Sequence, residues 1–208
     1  MPNPFIKSAV MAALLILSAA PAPAFAQDDD EPARWRDVAT ERDRTRIRGW
    51  RRAWVEALGE ARQRNAAEVN AGGALFQPDA GLAPPALPPG NYRCRTIKLG
   101  SQGDSDLNYI AYPWFRCRVA RDGDSFSFVR TGGSQRPVGH IYSAGPRRMI
   151  FLGSLQLGDE RRVLRYGADA DRDLAGIVER VGERRWRLVF PRPTFESIVD
   201  VIELVPAG

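Results

Sequence analysis

The sequence predicts an α+β, mainly β protein, in which an amino-terminal helical segment packs on a small antiparallel β-barrel or sandwich of about 8–9 strands. Three observations carry this. After Gly90 short runs alternate apolar and polar residues; Gly-centred turn signals ("RDGD", "AGPR", "LGDE", "VGER") separate them; and a single helical-period stripe precedes them. A parallel sheet would need helices between its strands, and the sequence after Gly90 shows none.

Residues 1–26 read as a leader: Lys7 precedes an apolar run from Ala9 to Ala20, and Ala24-Phe25-Ala26 supplies a small-x-small cleavage site. The run is shorter than the roughly 20 residues a spanning helix needs. The helical segment is expected over 27–69. Asp28 to Glu31 form an acidic start, Pro32 suits a first helical turn, and Thr40 to Asp43 resembles a capping box. A long helix should then run over 41–69. Ile47, Trp50, Trp54 and Leu58 make its apolar stripe; Arg44, Arg48, Arg51, Arg52, Glu56 and Glu60 face the other way. That stripe predicts docking on the rest of the protein, with a basic helix lying on an anionic membrane as the alternative.

Residues 70–89 carry Gly-Gly and two Pro-Pro pairs and predict a linker, pinned by Leu75, Phe76 and Leu82. The β domain is expected over 90–208, with strands at 92–99, 112–121, 125–131, 137–143, 148–155, 161–166, 174–181, 186–190 and 198–205. Alternation assigns Phe126 and Phe128, Met149, Phe151 and Leu155, and Trp186, Leu188 and Phe190 to the core. In the last strand Val199, Val201, Ile202 and Leu204 make both faces apolar, so it should be central or helix-covered.

The two cysteines of the chain sit in matching "RCR" triplets. In an exported chain they predict a Cys94–Cys117 disulfide between neighbouring strands. If Cys94 faces Cys117, the cysteines point inward and Arg93, Arg95, Arg116 and Arg118 point outward. Arg93 would then face Arg118 and Arg95 would face Arg116. Like charges facing one another are unfavourable in a sheet, so the quartet should be neutralised by carboxylates such as Glu203 or Asp200 with Trp114 stacking, or by an anion or partner. The loops 100–111 and 168–173 are the expected places for further contacts.

No catalytic residue, metal site or cofactor is indicated. His140 stands alone in a strand, no nucleophile elbow or histidine pair is present, and "TGGSQRP" at 131–137 reads as a turn rather than a phosphate loop. Acidic residues at Asp159, Glu160, 169–173, Glu179 and Glu196 read as turn residues and arginine partners. The net charge of +5 is a mild bias toward anionic envelope surfaces, and nucleic acid is not an expected partner.

The motifs "PPGNYRCR", "YPWFRCRV", "GSQRPVGHIY", "MIFLGSLQLGDERR", "RYGADADRDLAGIVERV" and "RWRLVFPRPTFESIVDVIELVP" together resemble a family of exported Gram-negative bacterial proteins classified only as a domain of unknown function. The resemblance implies an envelope location and carries over no activity. The expected function is a periplasmic, non-enzymatic binding or interaction module for an envelope protein or anionic ligand. The alternatives are a hydrolase of envelope carbohydrate using paired carboxylates and a structural protein in peripheral contact with the membrane.

Overall fold

The computed structural model describes Met1 and residues 34–103, 108–158 and 160–208. Apart from Met1, the leader expected over 1–26 and the acidic run after it lie outside the described residues. Among the described residues three α-helices come first: α1 (Trp35–Val38), α2 (Glu41–Arg48) and α3 (Trp50–Gly72). Nine strands follow: β1 (Gly90–Ser101), β2 (Tyr109–Ala111), β3 (Phe115–Asp122), β4 (Ser125–Arg130), β5 (Gln135–Ser143), β6 (Met149–Leu157), β7 (Asp173–Gly182), β8 (Arg185–Pro191) and β9 (Ser197–Pro206).

The strands pair antiparallel in the order β2-β1-β3-β4-β5-β6-β7-β8-β9, and β9 returns to pair with β1. The sheet therefore closes into a barrel of eight strands with β2 as an addition, and the sandwich alternative falls away. β2 and β3 are two parts of one path along β1, interrupted at 112–114. Pro113 has no N–H to give to the ladder there.

The expected single helix over 41–69 is two helices. Thr40 caps α2 through its hydroxyl, which accepts from the Asp43 N–H at 3.2 Å. The chain then breaks at Gly49, and α3 carries a further kink at Asn65. The stripe survives the break: Ile47, Trp50, Trp54 and Leu58 are all buried in one apolar layer with Ile97, Leu99, Ile177, Val189, Val199 and Val201. This layer is the outer face of the barrel under the helices, so the stripe is occupied by protein rather than free for a membrane. Ala53, Ala57 and Ala61 keep α3 close to the sheet. Gly100 has φ +66°, and a Cβ there would lie 3.1 Å from the Ala57 Cα.

The expected linker is partly structured. Helix α3 continues to Gly72, a 3₁₀ turn spans Gly73–Leu75, and Leu75 and Phe76 are buried. The Leu82 side chain is exposed, but its backbone N–H donates to the Arg180 carbonyl at 2.8 Å. Leu87 enters the second apolar cluster, the barrel interior, with Tyr92, Phe128, Phe151, Trp186, Leu188, Phe190, Ile202 and Leu204. The strand expected at 161–166 does not form. Residues 161–165 are exposed and outside any strand, on the connection between β6 and β7.

Inside the barrel Gly139 faces Gly153 across β5 and β6. A Cβ on Gly153 would sit 2.3 Å from the Val138 carbonyl oxygen and 2.5 Å from Phe151 Cζ, so the Phe151 ring fills the space two side chains would need. Gly153→Ala should therefore cost about 1–3 kcal/mol, the usual scale of overpacking. Urea unfolding of the variant checks this, and an unchanged midpoint would contradict it.

Candidate functional site

The structure joins Cys94 to Cys117 with Cα atoms 5.9 Å apart. The register differs from expectation by two residues: Cys94 lies opposite Phe115 and Cys117 opposite Tyr92. A slip of two preserves the faces, so both sulfurs remain buried and the arginines remain outward. The arginine pairing changes with it. Arg93 faces Arg116, Arg118 faces Asn91, and Arg95 faces Glu203 on β9 rather than Arg116.

Glu203 is a buried carboxylate that accepts from Arg95 Nε and Arg185 Nε, both at 2.7 Å. The Trp114 ring takes the guanidinium carbons of Arg93 and Arg95 at 4.9 and 4.8 Å from its centroid. Arg95 is thus neutralised within the fold. Arg93, Arg116 and Arg118 make no ion pair among the described residues, and all three are exposed.

The second polar cluster is in the barrel mouth, at the end where the strands β1, β4, β6 and β8 finish. Side-chain parity explains its composition: Thr96 and Lys98 continue the inward face of Cys94, Arg130 continues that of Phe128, and Asp200 precedes Ile202. These groups, with Gln135, line a cavity of about 30 Å³ walled by Pro137, Leu155, Leu174 and Phe190. That is room for a water or two, or for one small polar group. Asp171, from the loop 168–173, stands at its edge.

Lys98 Nζ lies 2.9 Å from Glu196 and 3.5 Å from Asp200. Burial works to lower the Lys98 pKa, but Asp200 and Glu196 outweigh it and hold the ammonium above its ordinary value. Burial pushes the Asp200 carboxyl up, against the pull of Lys98 and the Ser197 hydroxyl. Asp200 is largely inside, with a side chain 15 % exposed, whereas Glu196 is 60 % exposed at the rim.

Arg130 is 6 % exposed and sits over the Phe115 ring at 4.1 Å. Its Nη1 donates to Thr96 Oγ1 at 2.7 Å and its Nε to the Gly132 carbonyl at 2.9 Å. No carboxylate pairs with it among the described residues. Burial lowers its pKa and Asp200 only partly opposes this.

The other buried carboxylates are committed to structure. Glu179 accepts from Arg148 and Arg187, and Asp43 from Tyr166 and Arg46. Asp173 accepts from the Gly167 N–H. His140, also exposed, contacts Asp122 at 3.2 Å. In the 131–137 turn, Arg136 donates to the carbonyls of Gly133, Gly158 and Glu160, which closes the loop on itself. Among the described residues no three His, Cys, Asp or Glu side chains gather as metal ligands, and no helix is long and apolar enough to cross a membrane.

Lys98 and Arg130 were not singled out from the sequence. The signal was present, because strand parity puts both on the inward face, where a cation is unusual.

Residues 35–204 match the model of a family described as Domain of unknown function (DUF4893). No curated protein and no solved structure matches the chain.

Proposed function

The chain belongs to the family of the DUF4893 domain, and on that premise we propose that it is an exported, periplasmic binding module without enzymatic activity, whose barrel mouth receives a small anionic group. The observation that carries this is Arg130: a guanidinium more than nine-tenths buried, lining a cavity, with hydrogen-bond donors to spare and no carboxylate partner among the described residues. Burying such a charge is costly unless it is compensated, and a bound carboxylate or phosphate oxygen would compensate it. Lys98 and Thr96 stand beside it, and the apolar wall of Pro137, Leu155 and Phe190 suits the non-polar part of a ligand. Export is supported by the leader pattern and by the disulfide, which is at home in an oxidising compartment.

Calorimetric titration with sodium acetate and with sodium phosphate should give saturable binding at millimolar concentrations, lost in Arg130→Gln. Acetate affinity should rise as the pH is lowered within the range where acetate itself stays ionised. Asp200 has a raised pKa and repels an anion only when ionised, so protonating it removes the repulsion. Absence of saturable heat with either anion, or an Arg130→Gln variant that binds as well as the parent, would overturn the reading.

A further inference from the structure

Among the described residues, helix cover is confined to one side of the barrel. The apolar layer beneath α2 and α3 takes residues from β1 and from β6 to β9, and none from β3 or β4. On the side where no described helix lies, Arg93 stands opposite Arg116, and Arg118 lies between Asn91 and Val129. Val129 in turn faces Val138 on β5. Arg116 and Arg118 point the same way about 6.6 Å apart along β3, with β1 and its Arg93 about 4.8 Å to the side. The nearest acid on this strand, Asp122, is engaged by His140 at 3.2 Å.

Two guanidinium groups facing each other across a ladder destabilise a sheet. Elsewhere the fold answers such charges with a carboxylate, as Glu203 answers Arg95 and Arg185. Here it supplies none among the described residues, so the cost is left for a bound molecule to relieve. We propose that this face docks an acidic polysaccharide, its carboxylate or sulfate groups seated on Arg93, Arg116 and Arg118. The arginine fork matches such groups in a bidentate way. The neighbours suit sugar rather than a bare polyphosphate: the Asn91 amide is exposed beside the arginines, and the exposed Thr131 hydroxyl, which donates to the Arg116 carbonyl at 3.1 Å, keeps its lone pairs for a sugar hydroxyl. The inference stands apart from the barrel mouth, which opens inside the barrel and uses none of these residues.

The test is titration with heparin, followed by Trp fluorescence and calorimetry, on the parent and on Arg116→Thr/Arg118→Thr. Threonine suits a strand and removes the facing charges. The variant should lose heparin affinity by about tenfold or more, the scale of two lost charge-assisted contacts. Its thermal midpoint should stay the same or rise. Parent binding should weaken steeply between about 0.05 and 0.5 M NaCl, as screening requires. Neutral dextran should not bind, polyphosphate should bind more weakly than heparin, and Arg130→Gln should bind heparin like the parent. A threonine variant that retains full affinity overturns the proposal, and polyphosphate binding equal to heparin overturns the saccharide assignment. Should the threonine variant fold poorly, Arg116→Lys/Arg118→Lys keeps the charge but loses the fork; undiminished affinity in that variant also counts against the proposal.

Discussion

Replacing Arg187 by methionine is expected to destabilise the protein by about 3–5 kcal/mol, the scale of breaking a buried ion pair from one side. Arg187 is fully buried at 0 % exposure. Its Nε and Nη2 reach the same Glu179 oxygen at 2.8 and 2.6 Å. Nη1 donates to the carbonyls of Leu75 and Gln77 at 2.9 and 2.7 Å, and Nη2 to that of Pro78 at 3.0 Å. The guanidinium also lies 4.8 Å from the Trp54 ring centroid. One side chain thus ties the segment after α3 to the outer face of β8. Methionine would fill most of the volume but leave those carbonyls without a donor and Glu179 with Arg148 alone, at 2.8 Å. Guanidinium chloride unfolding measures the loss. The double change with Glu179→Gln should cost less than the sum of the single changes, because the two groups satisfy each other. A loss below about 1 kcal/mol for Arg187→Met would mean that water replaces the guanidinium at little cost.

Removing the disulfide should be nearly as damaging. Cys94 and Cys117 are 23 residues apart, and closing a loop of that length stabilises by about 3 kcal/mol in the chain-entropy model. The double change Cys94→Ala/Cys117→Ala should lower the unfolding free energy by about 2–4 kcal/mol. Reductant should lower the melting temperature of the parent and leave the double variant unaffected. The purified chain should also weigh two hydrogens less than its reduced form. Free thiols in protein purified without reductant would contradict the pairing.

The mainly β architecture was legible because alternation and Gly-centred turns are local signals, and eight of the nine strands they mark do form. The faces were legible too. Cys94 and Phe128 point inward, and Arg93 and Arg116 outward, although the β1–β3 register is displaced by two residues. Parity is encoded in each strand, whereas register depends on where a partner stops, and Pro113 moves that point. The segment 161–166 alternates like a strand, but no neighbour remains to pair with it: β6 is already flanked by β5 and β7. The three-residue β2 is too short to register as a pattern.

Glu179 was expected as a turn residue or arginine partner and Arg187 was not singled out; both face out of the barrel. Their burial comes from the chain segment after α3, which nothing in their own strands announces. The mouth was half legible. Asp200 was expected, with Glu203, as a counter-charge of the outward arginines, but it points into the mouth beside Lys98, while Arg130 was hidden at the end of its own strand. Its isolation appears only once the other strands place their carboxylates elsewhere.

Pairing of β9 with β1 has a consequence for how the chain must be made. The last strand hydrogen-bonds to residues more than a hundred positions earlier, Arg95 with Glu203 and Leu99 with Val199 among them. A nascent polypeptide lacking those final residues would carry two unsatisfied ladders, on β1 and on β8, each open to a stranger's strand. Closure of the barrel therefore waits until β9 is available, and until then the edges of β1 and β8 stay open.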